Sequence, residues 1–306
     1  MHAVIVERNK LVARKIARVL VSAGWATEVV DEPAQVGDRL AEAHLVCADA
    51  FDGDYVAEQL RARRELRGLL WTAEPLRRSL RYLTEVPNLD HVLARKDFES
   101  PPRSWEIAMT ARRLVDGSVA PLGAYLDWGY TAKTLAVKTT ADRDTAVAAI
   151  QEFVLSLAVP KRVADLLGEL GHELLMNAMY DAPVDAAGVA KYAADRKADV
   201  SLADHERPHV CIASDGTRLI LQVRDPFGRL ERRHVVDGLA RGLASGELDR
   251  EHGGAGLGML VAHNASAALF FDVARGKHTE VTALFELDQN LRDLRTQAKS
   301  LHFWTD

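Results

Sequence analysis

The side chains whose types and spacing suit chemistry lie mostly in the second half of this sequence. In GELGHELLMNAMYDAP, Glu169, Glu173, Asn177 and Asp181 recur every four residues, which in a helix puts them on one face. Leu166, Leu167, Leu170, Leu174 and Leu175 form the apolar stripe of the same helix. Asn177 lies within LLMNAM, where a buried amide must find a partner. Farther on, LILQVRDPFGRL reads as a strand that ends at Asp225 and runs into a turn with Pro226 and Gly228. A carboxylate at a strand end can accept from the amino group of an adenine ring, and a glycine beside it lets backbone come close. HGGAGLGMLVAHN sets Gly253, Gly254, Gly256 and Gly258 ahead of a helical pattern, and bare amides at a helix start suit phosphate. ARGKHTEVTALFEL begins a late strand with Thr279, whose hydroxyl can join a polar network. Taken singly, these are also a solvated helix face, a turn and a glycine-rich loop. The loop is not the dinucleotide fingerprint, since no short strand-turn-helix unit with a distal acid surrounds it.

These pieces need a scaffold, and the order of apolar runs predicts one. Through the first hundred residues, short apolar runs (HAVIV, AHLVCA, RGLLWTA, DHVLA) alternate with amphipathic stretches at 11–23, 54–64 and 77–83. Strand and helix in turn imply a doubly wound parallel sheet. Two adjacent prolines in ESPPRSW end the pattern, because neither a helix nor a central strand tolerates them. A connecting helix is expected at 103–116, and DGSVAPLGA is a second break. After residue 130 the order becomes a strand (KTLAVKT), helices at 142–157 and 163–180, then mainly strands. This predicts an α/β sandwich with helices on one face of a mixed sheet, and residues 181–208 as an inserted loop. The expected division is 1–100, a linker at 101–129, and 130–306.

At 306 residues, with 48% hydrophobic and 27% charged, the chain has the composition of two ordinary globular domains. Thirty-nine basic against 44 acidic residues leave a formal charge of −5, which gives no reason to expect nucleic acid as the partner. Cys47 and Cys211 each sit in an apolar run and suggest neither a disulfide scaffold nor a zinc site. The first residues, MHAVIVERNK, hold too short an apolar stretch for a signal peptide, and nowhere do ~18 consecutive apolar residues occur to cross a membrane. A cytoplasmic protein is expected.

Order and spacing together resemble the GHKL superfamily, which includes gyrase, the heat-shock chaperone ATPase, histidine kinases and MutL. The likeness covers roughly residues 130–288. Glu173 and Asn177 match the Glu-x-x-x-Asn box of that family, which implies that Asn177 ligates Mg²⁺ and that Glu173 orients or deprotonates the attacking group. Asp225 matches the adenine-reading aspartate, with Gly228 in its turn. Gly254, Gly256 and Gly258 match the glycine-rich lid box, and Thr279 matches the closing threonine. The implied cofactors are ATP and Mg²⁺. Where the family has Asp-x-Gly-x-Gly, Phe227 stands in the place of the first glycine. No phosphoacceptor helical hairpin precedes the domain; the order of strand and two helices is that of the anti-sigma-factor serine kinases. His172 would point about 100° away from Glu173 and reads as structural.

The first hundred residues resemble a two-component receiver, whose site gathers at the carboxyl ends of its strands. Asp49 matches the phosphoacceptor, Thr72 the switch hydroxyl and Lys96 the phosphate-binding lysine. The acidic pair for Mg²⁺ is represented by Glu7 and Arg8. Arg8 puts a fixed cation where the family has a carboxylate and is expected to pair with Asp49. A working phospho-receiver and a pseudo-receiver used for partner binding or dimerisation both remain open.

Three functions fit these residues. The first is a protein serine/threonine kinase acting on a regulatory partner, in which Asn177 holds Mg²⁺ and Glu173 activates a hydroxyl. The second is an ATP-responsive switch whose lid, roughly 229–252, orders on binding and changes partner affinity. The third is a scaffold that keeps only the fold. Arg229, Arg232, Arg233, Arg241 and Arg250 make the candidate lid basic, suited to phosphate, to an acidic partner, or merely to solvent.

Overall fold

The computed structural model describes residues 1–245, 257–288 and 296–305. The chain divides into two compact units, Met1–Tyr125 with Thr296–His302, and Leu126–Arg295 with Phe303–Asp306.

In the first unit, fully buried apolar runs form β1 (His2–Val6), β3 (Leu45–Asp49), β4 (Arg67–Thr72) and β5 (Leu89–Ala94). With β2 (Ala26–Val30) they make a parallel sheet in the order β2-β1-β3-β4-β5. Continuous burial marks strands covered on both faces. The edge strand β2 is only partly buried and carries no such run, so its sequence signal is weak. Crossovers are α1 (Lys10–Ser22), α2 (Gly53–Ala62) and α3 (Leu76–Glu85). Asn9 starts α1 by accepting from the backbone amides of Leu11 and Val12.

The two prolines are followed at once by α4 (Ser104–Asp116), which ends at Gly117 with φ +66°. This helix is no free linker. Ile107 and Ala111 enter the core beside Ile16 and Trp25, and the Trp25 indole donates to the Ala111 carbonyl at 2.9 Å. Residues 296–302 also belong here. The last strand, Ser300–Thr305, pairs antiparallel with β5 at Leu301 and His302. The expected bounds therefore shift: the connecting helix and a short late segment join the first unit because both bury side chains in it.

The second unit has β6 (Thr131–Ala136), β7 (His209–Ser214), β8 (Arg218–Asp225), β9 (Ala268–Ala274) and β10 (His278–Glu286), in the order β9-β10-β8-β7-β6. Every one of these pairings is antiparallel, where a mixed sheet was expected. Two of them, β7–β8 and β9–β10, are joined by short turns that allow nothing else. Helices α5 (Thr140–Ser156) and α6 (Lys161–Met176) lie side by side. Thr139 and Asp142 form a reciprocal capping box at the start of α5. Gly168 and Gly171 of α6 set the spacing, since a Cβ there would lie 2.7 Å from Gln151 and 2.6 Å from Ile150. Helices α7 (Arg232–Ser245) and α8 (Leu257–Ala265) pack together. No described helix is long and apolar enough to cross a membrane.

The late segment is held in the first unit by a buried polar cluster. Glu106, 0% exposed, accepts from His302 Nε2 at 2.8 Å and pairs with Arg103 at 3.2 Å. Burial alone would raise the Glu106 carboxyl, but the His302 bond and the Arg103 charge bring it below its ordinary value. Removing one partner of such a group strands the others. Glu106→Ala is expected to cost about 3–5 kcal/mol, read as a lowered urea midpoint, whereas a change under about 0.5 kcal/mol, typical of exposed sites, would show that the cluster does not hold this segment.

Candidate functional site

The second unit contains a cavity of about 390 Å³, within the roughly 300–1,000 Å³ of ordinary ligand pockets. Its walls combine buried apolar side chains (Leu174, Val223, Val235, Met259, Val281) with two buried polar ones, Asp225 and Thr279. Asn177, Asp181, Arg229, His234, Asp237 and Arg241 also line it, the last four being exposed.

Asp225 ends β8 directly opposite Thr279 on β10. The register of the hairpin sheet thus brings together two residues far apart in sequence. The Asp225 carboxylate accepts from the Phe227 amide at 2.9 Å. Burial pushes its pKa up to about 6, against the pull of hydrogen bonds from Phe227, Thr279 and Gly228. The turn is fixed by Gly228, which has φ +63° and where a Cβ would sit 2.0 Å from the Ala274 carbonyl oxygen. Gly228 is needed for packing against the β9–β10 turn; neither it nor Phe227 lines the cavity.

Helix α6 gives way at Asn177 to a π turn, Asn177–Asp181, a wider turn often found at functional sites. Asn177, Ala178, Asp181 and Ala182 from this turn reach the cavity. Glu173, one turn earlier at ~6 Å along the axis, is half-buried and is not among the lining residues. The Asn177 amide still donates to the Glu173 carbonyl, so these two stay one helical turn apart, and the π turn widens the step from Asn177 to Asp181 instead. His172 is half-buried and its pKa is lowered by burial and by Arg143. Gly258 is the second residue of α8, while Gly253, Gly254, Gly256 and Arg250 lie outside the described residues.

Arg196, from the inserted loop, contacts two of the lining residues without being one of them, and sequence reasoning missed it. Its Nη2 donates to Asn177 Oδ1 at 3.1 Å, and the same nitrogen stands 3.6 Å from Asp181. Mg²⁺ takes oxygen ligands, yet the amide oxygen assigned to it already serves a guanidinium. A divalent cation does not fit this arrangement. Nor do the described residues hold any group of three or more His, Cys, Asp or Glu that could bind a metal.

In the first unit, the carboxyl ends of the strands gather Glu7, Asp49, Thr72 and Arg95. Asp49 is 7% exposed and faces Arg95 Nη2 at 2.6 Å. Arg95 Nη1 also meets Glu7 at 3.2 Å, and Glu7 accepts from the Trp71 indole at 3.1 Å. Burial raises the Asp49 carboxyl, opposed by the Phe51 amide and Arg95. Arg8 pairs with Asp52 through both guanidinium nitrogens, and so does not pair with Asp49 as expected. Lys96 is exposed. The strand ends at Ala94, so Arg95 takes the inward position one residue before Lys96. Thr72 is buried and accepts from the Glu74 amide at 2.9 Å. Glu7 and Asp49 share the buried Arg95 guanidinium where a cation would stand, and Mg²⁺ does not fit this set either.

No family model matches the chain, and no curated protein matches it. Among solved structures, a chain of the SiaB–SiaC complex from Pseudomonas aeruginosa is similar at a TM-score of 0.32 and 11% identity, over 51% of this chain and 88% of that one. What the cavity does is therefore carried by its own residues.

Arg95→Ala, which leaves Glu7 and Asp49 buried without their cation, is expected to destabilise the protein by about 3–5 kcal/mol. Lys96→Ala should stay within about 0.5 kcal/mol, as for exposed sites. Denaturant unfolding of the two variants checks this, and the reverse order would contradict the placement of Arg95.

Proposed function

We propose that the second unit binds an adenine nucleotide, ATP, with the base against Asp225 and Thr279 and the phosphates toward the charged rim. The observation that carries this is the Asp225 carboxylate. It lies in an apolar cavity, 8% exposed, and burial outweighs its hydrogen bonds to the turn. A group in that state gains from a ligand that donates to it. The 6-amino group of adenine is such a donor, whereas guanine offers a carbonyl oxygen in its place. Val223, Val281 and Met259 supply apolar surface for a flat ring. Arg229 and Arg241 at the exposed side suit phosphate. The order of Asn177, Asp225 and Thr279, which resembles that of GHKL ATPases, supports the same reading.

The proposal stops at binding. Glu173, which phosphoryl transfer would need beside the terminal phosphate, is absent from the lining residues, so we assign the unit the role of an ATP-responsive switch read by a regulatory protein partner. The first unit we assign as a pseudo-receiver. Its Asp49 is engaged by Arg95, which Glu7 shares, and Asp52 pairs with Arg8.

The test is calorimetry and thermal shift of the full chain. ATP and adenosine should bind and raise the melting temperature, guanosine should not, and Asp225→Asn should lose binding while remaining folded. At ~100-fold excess of ligand over Kd, the stabilisation from binding is ~2.7 kcal/mol, which is easily seen. Neither heat nor shift with millimolar ATP would overturn the assignment.

A further inference from the structure

Arg196 is not an incidental surface residue. Its loop is pinned at several points: the Tyr180 hydroxyl donates to the Ala198 carbonyl at 2.7 Å, the Val200 amide donates to Thr140 Oγ1 at 2.9 Å, Ser201 bridges to Thr139, and Lys191 pairs with Glu206. Between these anchors the Arg196 side chain reaches the π turn, although Arg196 is not itself among the residues that line the cavity. It is 29% exposed and its Nε is buried. Its guanidinium meets two cavity-lining residues, Asn177 and Asp181. Arg229 closes on the same π turn from the other strand end, with Nη1 near the carbonyl oxygens of Asp181 and Ala182 at 3.4 and 3.5 Å. Two guanidinium groups thus converge on one polar turn at the rim of the cavity.

We infer that Arg196, with Arg229 on the same turn, takes the place of a divalent cation and meets the phosphates of the bound nucleotide, so that binding needs no metal. This rests on the nucleotide reading of the cavity. A guanidinium is a permanent charge with a planar set of donors that matches phosphate oxygens. Held in advance by Asn177 and Asp181, it gives up little freedom when the ligand arrives. A divalent ion brought to the Asn177 oxygen would have to displace the guanidinium that already donates to it.

The experiment is titration calorimetry of ATP and of adenosine into the full chain and its Arg196→Ala and Arg196→Gln variants, once in EDTA and once in excess Mg²⁺. Wild-type Kd for ATP should agree within about threefold between the two conditions, since no metal is part of the site. In EDTA both variants should bind ATP about tenfold or more weakly, the scale of one lost charge-assisted contact. Adenosine, which has no phosphate, should bind all three proteins alike, and this also reports that the variants are folded. ATP binding by the wild type only with Mg²⁺ would overturn the inference and leave the nucleotide reading standing. So would tighter ATP binding by the variants, which would make Arg196 an obstruction. Failure of both ATP and adenosine to bind the wild type would instead overturn the nucleotide reading, and this inference with it.

Discussion

The second unit is built around one costly arrangement, a carboxylate buried at the end of a strand with hydrogen bonds from the turn and a hydroxyl but set in an apolar cavity. Asp225 is kept there by the β8–β10 register that puts Thr279 opposite it, and by a turn that only glycine at 228 can make against the Ala274 carbonyl. The cost has a sign. Its pKa is raised from 3.8 to about 6, so between those values the folded chain keeps a proton that the unfolded chain releases. Stability therefore falls as pH rises through that window, and at neutral pH the deficit is on the order of 2–3 kcal/mol. A ligand that donates a hydrogen bond to the ionised form repays it, which couples occupancy to stability.

The first unit meets the same problem in a different way. Glu7, Asp49 and Asp52 stand at the carboxyl ends of parallel strands, where α/β folds place their sites, and each faces an arginine. Charges satisfied internally stabilise a shape and leave little for an ion to bind. Asp225 has no arginine against it; its partners are the turn amides and the Thr279 hydroxyl, they do not offset its burial, and it opens on a cavity with room for a small molecule. This contrast is why the two units are assigned different roles, although each was first singled out for an aspartate at a strand end.

Much of this was legible in the sequence because it follows from period and order. The leucine stripe of α6, the buried runs of β1, β3, β4 and β5, and the proline pair before α4 are local signals. Asn177, Asp225 and Thr279, distant in the chain, are brought to one cavity by the sheet register. What escaped was of another kind. The one-residue difference between Arg95 and Lys96 depends on where β5 stops, and the basic pair in LARKDF has no periodicity to decide it. The π turn adds a residue to the helix turn after Asn177, which changes the step from Asn177 to Asp181 that a regular helix predicts. Arg196 lies in an Ala- and Asp-rich loop with no pattern at all, and only the folded loop shows that its side chain reaches the π turn. The need for glycine at 228 to clear the Ala274 carbonyl is a contact between distant strands that no local pattern shows.

The central claim, that Asp225 is a strained acceptor awaiting a donor, is tested most directly by following its carboxyl carbon by ¹³C NMR as a function of pH, in the free protein and with adenosine bound. The account predicts a free midpoint of about 6 that moves down on binding, because the ligand favours the ionised form. A free midpoint in the ordinary carboxylate range, or one that adenosine leaves unmoved at saturation, would contradict it.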